Sequence, residues 1–296
     1  MNILSLCSTD WAGCGIRLTD AINRNSKHKA RQVALSPHRF GYHYDIITRE
    51  PGVIKKWVDW ADVVNCWSDI RALKTCKTIP KKLIWTFTGT PFRKNPTALK
   101  HNATQLNAKI LVSTPDLLFF KDLIWLPNAV PVDEWFKMKT THSGKPIVCQ
   151  SPSSKPKKNT AKILKYISNK KNIDPLIIHK VKWKQCIKLK SKADIYIGPF
   201  KIGYGVSQLE AMAMKIPVIT KLEPENEAKI RRAVGYLPHY DCPMEKLSEG
   251  IDTLLSDREL YDEYAELGHN YVKEFHDYPV VAKKFILICE KLINKK

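Results

Sequence analysis

Short apolar runs and amphipathic stretches alternate along the chain. Runs at residues 3–7, 32–35, 61–67, 83–87, 110–113 and 123–126 have strand length and little polar interruption, the pattern of strands buried on both faces. Between the first two, Ile16, Leu18, Ala21 and Ile22 fall at helical spacing and predict a helix over 16–25. Strand, helix, strand in this order predicts a parallel sheet.

The polar segment 138–144, with Thr140, Thr141 and Ser143, reads as a linker, and the rhythm restarts after it. Strands are predicted at 146–150, 176–179, 194–198 and 217–220, with helices at 159–167, 183–190 and 225–233. A further helix lies between the last two of these strands. Ser207 can cap it, Leu209, Met212, Ala213 and Ile216 share a face, and Pro217 stops it. From 244 onward the pattern is helical, first through Leu247, Ile251, Leu254 and Leu255, then through Val280, Phe285, Ile288 and Leu292. The fold class expected is α/β with two Rossmann-like domains, 1–143 and 144–276, followed by a helix over 277–296.

The chain has 296 residues, 44% of them apolar, and eight Trp, enough for two folded cores. No apolar run approaches the roughly 20 residues that span a bilayer. The first residues read as a strand, not as a signal peptide. Eight cysteines are scattered without a CxxC pair, and Cys7, Cys149 and Cys289 lie in apolar runs. Buried free thiols in a cytoplasmic setting are expected. The nine histidines are dispersed, so no metal site is expected.

Charge is uneven. The formal balance is +20, and residues 144–192 hold fourteen lysines against one acid, Asp174. Such a surface attracts polyanions. Only ten of the 49 basic residues are Arg, and a lysine-biased genome would raise the total without selection for binding. The concentrated block favours binding, because compositional bias alone would enrich acids beside it. Trp57, Trp60, Trp67 and Trp183 are candidate exposed aromatics.

Three loops carry candidate chemistry. The segment 193–220 is a buried strand, the loop Gly203-Tyr204-Gly205-Val206, a helix bearing Glu210, and a second strand. Ligands of open α/β sheets sit at carboxyl strand ends against helix N-termini, which suits Glu210 to sugar hydroxyls and the glycine loop to phosphate. An ordinary crossover would show the same spacing. Ser151-Pro152-Ser153-Ser154-Lys155-Pro156-Lys157-Lys158-Asn159-Thr160 follows the first strand of the second half, and its lysines suit a diphosphate. In the first half, Asp10-Trp11-Ala12-Gly13-Cys14-Gly15 joins strand to helix. It lacks the third glycine and the ribose-binding acid of a dinucleotide fingerprint. Asp10 there is either an acceptor-side carboxylate or a helix cap.

These segments resemble the donor-site pattern of retaining GT-B glycosyltransferases of the group 1 (family 4-like) kind, in the form of a divergent phage-type member. The second acid of the family's glutamate pair matches Glu210, while Ile202 stands where the first would be. Lys155 and Lys158 match a basic residue and the lysine of Lys-Gly-Thr, with Asn159 replacing the glycine. Thr86-Phe87-Thr88-Gly89-Thr90-Pro91-Phe92-Arg93 resembles His-Gly-Thr-x-x-Arg with Thr88 in the histidine position. The segment 127–133 resembles the turn that ends the first domain.

The resemblance implies two Rossmann-like domains facing across a cleft, with the C-terminal helix crossing back to the first. It implies metal-independent transfer of a sugar from a nucleoside-diphosphate sugar, UDP being the expected nucleotide, with no cofactor. Asp10, Lys155, Lys158 and Glu210 are the implied catalytic residues. Gly13, Gly15, Ser153, Lys155, Lys158, Gly203, Tyr204, Gly205, Val206 and Glu210 are the implied donor contacts. Asp10, Trp11, Thr88 and Arg93 are the implied acceptor contacts, with Asp116 orienting Arg93 or capping a helix. The lysine block favours DNA carrying a hydroxymethylpyrimidine as acceptor and partner. The alternatives are a saccharide, lipid-linked or protein acceptor, and an inactive GT-B protein that binds nucleic acid.

Overall fold

The computed structural model describes residues 1–294, the side chain of Lys157 excepted. The chain divides into two units, Met1–Val130 with the residues from Phe275 onward, and Pro131–Glu274. The first unit holds a seven-stranded sheet built from β1 (Asn2–Thr9), β2 (Lys29–Ser36), β3 (Ile46–Ile47), β4 (Val63–Trp67), β5 (Leu83–Phe87), β6 (Lys109–Val112) and β7 (Ile124–Trp125). Its order is β3-β2-β1-β4-β5-β6-β7, and every pairing is parallel. β1 pairs with β2 on one side and β4 on the other, so the strand order reverses there. Open α/β sheets bind ligands at such a switch point, beyond the carboxyl ends of the strands.

β4 and β5 are buried along their whole length, as apolar runs lying between two neighbours must be. Trp67, expected to be exposed, is therefore only 4% exposed on β4. The Tyr278–Asn294 helix packs on the Cys14–Asn25 helix within this same unit, so the last helix does return to the first unit. Its buried stripe is Tyr278, Val281, Ala282, Phe285 and Cys289. Val280, expected to face inward, is exposed; the adjacent pair Val281 and Ala282 aligns better with Phe285 and Cys289 at helical spacing.

The second unit holds β8 (Ile147–Gln150), β9 (Asp174–Ile177), β10 (Ile195–Ile197), β11 (Val218–Thr220) and β12 (Tyr240–Asp241), all parallel, in the order β12-β11-β10-β8-β9. Val148, Ile163, Ile167, Ile195, Ile219 and Ile251 are among its buried core. The division falls at 130/131, not at 143/144. The supposed linker is tied into the second unit: Thr140 N donates to Ser191 O at 3.0 Å, and Lys139 Nζ to Ala193 O at 2.5 Å. His142 pairs with Asp194 at 2.8 Å. Among the described residues all eight cysteines are free thiols, seven of them buried, and no helix is long and apolar enough to cross a membrane.

Candidate functional site

In the second unit the candidate residues gather at the carboxyl ends of β8 and β10, which are neighbours in the sheet. β8 ends at Gln150, whose buried amide shapes the lysine loop. Its Nε2 donates to Lys158 O at 3.0 Å and its Oε1 accepts from Thr160 Oγ1 at 2.8 Å. Asn159 takes φ 55°, the left-handed region that a glycine enters freely and asparagine tolerates better than most residues. Lys155 and Ser153 are exposed and Lys158 half-buried, at the start of the Thr160–Ile167 helix.

β10 leads through Gly198 and the 203–205 loop into the Val206–Ala213 helix. A Cβ on Gly198 would lie 2.8 Å from Gln208 Nε2 and 3.1 Å from Thr220 Cβ, so a side chain at the strand end would require Gln208 to move. Gly205, not Ser207, caps the helix, its amide donating to Gln208 Oε1 at 2.8 Å. Ser207 lies one residue inside. Tyr204 turns into the core, 2% exposed, and shares a 2.6 Å hydrogen bond with His239 Nδ1. Among the residues expected to contact a donor, Tyr204 thus has a packing role.

Glu210 is buried and fixed from two directions. Trp183 Nε1 donates to its Oε1 at 2.8 Å, and Lys190 Nζ donates to its Oε2 at 2.5 Å. The same ammonium donates to Ser207 O at 3.0 Å and Ser207 Oγ at 2.8 Å, so all three of its protons are engaged. Tyr196 Oη joins Ser207 Oγ at 2.8 Å and Ser151 Oγ at 2.9 Å. Burial on its own would depress the Lys190 ammonium, but the Glu210 carboxylate and the Tyr196 ring hold its pKa above the ordinary lysine value. A charged pair survives here because each member is hydrogen-bonded as well as paired.

Sequence reasoning missed Lys190 and the role of Trp183. A signal existed: Lys190 lies three residues beyond Ile187 in the Trp183–Lys190 helix and so shares its buried stripe. A lysine on an apolar stripe requires a buried anion.

In the first unit, Asp10 follows β1 and is fully buried. Its Oδ1 accepts from Gly15 N at 2.9 Å, and its Oδ2 from Ile16 N at 2.9 Å and Gln32 Nε2 at 2.6 Å. Burial raises its pKa against the opposing pull of the two amides, Arg17 and Gln32. A carboxylate there suits the positive end of the Cys14–Asn25 helix. The structure therefore gives Asp10 the capping role, and the amide of Gly15, expected to face a ligand, is directed onto it.

Gly15 is also tightly enclosed: a Cβ would lie 3.2 Å from Gln32 Nε2 and 3.3 Å from the Trp67 ring. Gly13 takes φ 68° beneath the Tyr42 ring, and Ala12 at φ 58° turns Trp11 outward, 56% exposed. Thr88, after β5, shares a short hydrogen bond with Ser68 Oγ. Arg93 donates through Nε and Nη2 to Asp116 Oδ2, at 2.7 and 2.6 Å, so Asp116 does orient Arg93. Among the described residues no three His, Cys, Asp or Glu side chains cluster as metal ligands.

The family described as glycosyl transferases group 1 matches residues 157–271, which span the lysine loop's end, Lys190 and Glu210. No curated protein matches the sequence. Solved structures match over the whole chain. An alpha-glucosyltransferase in complex with UDP and a 13-mer DNA containing an HMU base is 10% identical at a TM-score of 0.71, covering 97% of this chain and 99% of that one. The Anabaena HepE protein in complex with UDP and glucose is 12% identical at 0.70, covering 99% and 100%. A glycosyltransferase from Rickettsia africae is 15% identical at 0.67, covering 100% of each. At these identities the likeness speaks for the fold. The chain has the GT-B fold, and residues 157–271 of its second unit match the glycosyl transferases group 1 family.

Proposed function

We propose that this protein transfers a sugar from a UDP-sugar to a hydroxyl group with retention at the anomeric carbon, and that its favoured acceptor is a hydroxymethylpyrimidine in DNA, as in phage DNA modification in a host cytoplasm. One observation carries the reading. Lys155, Lys158 and the Glu210–Lys190 pair stand at neighbouring strand ends, and all but Lys155 lie inside the segment that matches the family. The lysines neutralise the departing diphosphate, so the reaction calls for no metal and no cofactor. Glu210, held by Trp183 and Lys190, presents its carboxylate to the ribose hydroxyls of the donor. In place of the Ile202 position's missing acid, sugar contacts come from elsewhere. The donor phosphate takes the proton of the attacking hydroxyl.

The acceptor class draws support from the +20 charge and from the solved alpha-glucosyltransferase with UDP and DNA. A saccharide, lipid-linked or protein acceptor is the second reading. It is favoured by Ile79, 93% exposed beside Lys74, Lys77, Lys81 and Lys82 on one cavity wall, a combination suited to anionic lipid. The test is incubation with a panel of nucleotide sugars plus hydroxymethylated duplexes, plain duplexes and free saccharide acceptors, read by product mass. One hexose unit added only to the modified duplex is expected. Transfer to saccharide alone overturns the acceptor, and absence of any donor turnover turns the reading to a nucleic-acid-binding GT-B protein.

A further inference from the structure

Two features meet at the carboxyl end of the first sheet. β1 and β2 end in register at Thr9 and Ser36, whose hydroxyls share a 2.8 Å hydrogen bond. Two residues beyond these lie Trp11 and His38. Their rings meet edge to face with centroids 5.0 Å apart, and His38 is flanked by Phe40 at 4.9 Å and Tyr42 at 5.4 Å. The group is held together from inside: His38 is buried, its Nδ1 accepts from Phe40 N at 3.2 Å, and its own amide bonds Tyr44 Oη. Arg39 stands 4.9 Å over the Phe40 ring. Trp11 is largely exposed, with Phe40 and Tyr42 half-exposed beside it.

The same strand ends floor a cavity of about 610 Å³, where Ser8, Thr9 and Ser36 meet Arg49, Arg71 and Lys74. Arg71 is tied to Asp69 at 2.9 Å, and Arg49 Nε donates to Leu35 O at 3.2 Å. Lys74 has no ion pair among the described residues. Three cations against one carboxylate leave the cavity positive, and hydroxyls with guanidinium and ammonium groups are the chemistry of a phosphate site. Aromatic faces beside a phosphate site are the chemistry of a nucleotide.

We propose that this end of the first sheet binds one nucleotide of an unpaired or extruded DNA strand, the base on Trp11, Phe40 and Tyr42 and its phosphate among Arg49, Arg71 and Lys74. The identification of the strand as the acceptor rests on the function proposed above. A base that is to be modified must leave the stack, and exposed rings offset the lost stacking.

The test is binding of a short labelled single-stranded oligonucleotide, followed by fluorescence anisotropy over a salt series, with folding checked by thermal unfolding. Trp11→Ala with Phe40→Ala should weaken binding roughly tenfold or more with the salt slope unchanged. Arg71→Gln with Lys74→Gln should weaken it and reduce the slope by about 1.4, two charges at about 0.7 each on a single strand. Lys283→Gln with Lys291→Gln, the same charge change on the last helix, should leave it within about twofold. Equal weakening by the two charge pairs, or none by either site pair, overturns the proposal. So does wild-type protein that binds anionic vesicles but no oligonucleotide. Sugar transfer to the hydroxymethylated duplex is read separately. Transfer untouched by the variants sinks this surface alone, while variant-sensitive binding without transfer sinks the acceptor and supports the surface.

Discussion

Lys190 delivers its ammonium to the Glu210 carboxylate at 2.5 Å with no solvent exposure of its own side chain. Replacing one partner leaves the other charge buried alone, so Lys190→Met should destabilise the protein by about 3–5 kcal/mol. Adding Glu210→Gln to that variant should restore much of the loss, because a neutral amide at 210 can still accept from Trp183. Denaturant unfolding of both variants and the wild type checks this. A Lys190→Met protein of wild-type stability would show that the pair is not buried as described.

The lysine loop calls for the opposite signature. Lys155 is exposed, so Lys155→Ala with Lys158→Ala should leave thermal stability nearly unchanged. If the pair neutralises a departing diphosphate, kcat should fall by about 10²–10³. Glu210→Ala should instead raise donor KM strongly. Donor hydrolysis and transfer kinetics, measured beside Tm, separate the two; unchanged kcat in the lysine variant removes it from the chemistry.

Acid should loosen the first unit through His276. Burial lowers its pKa to about 4, against the weaker raising effect of its bond to Asn128 O at 2.9 Å. The folded state therefore favours the neutral ring. Its contribution is complete above the unfolded value near 6.5 and is lost as the pH falls from there toward 4, up to ~3 kcal/mol in all. Unfolding free energies between pH 7 and pH 4.5 should decline for the wild type and decline less for His276→Asn. Equal slopes would exclude His276 as the cause.

Gly15→Ala should cost about 1–3 kcal/mol through overpacking, since the added methyl meets Gln32 and Trp67 at 3.2–3.3 Å. Gln32 also holds Asp10, so relief by moving its amide would loosen the cap of the Cys14–Asn25 helix. Gly52→Ala, with open space around the position, is the control. Equal melting temperatures for the two variants would contradict the crowding.

What the sequence disclosed follows from how local each signal is. Strands buried on both faces are continuous apolar runs, and Leu83–Phe87 and Trp183–Lys190 begin and end in the structure where the pattern places them. Ile46–Ile47 and Tyr240–Asp241 are two-residue edge strands with no pattern of their own, and both were invisible. Asp10 showed its position but not its role, because capping depends on amides five and six residues further on. Lys190 was hidden for a deeper reason. Its counter-ion lies 20 residues away on another helix, and only tertiary packing brings an internal lysine to a carboxylate.

Because the Tyr278–Asn294 helix packs on the Cys14–Asn25 helix, two segments far apart in the sequence complete one core. The intervening unit is a single stretch of chain and can close while synthesis continues. The first sheet must wait, with one helix face uncovered, until the Tyr278–Asn294 helix has been synthesised. A truncated or stalled chain that lacks the Tyr278–Asn294 helix therefore exposes apolar surface on the Cys14–Asn25 helix, and a chaperone would find its target there.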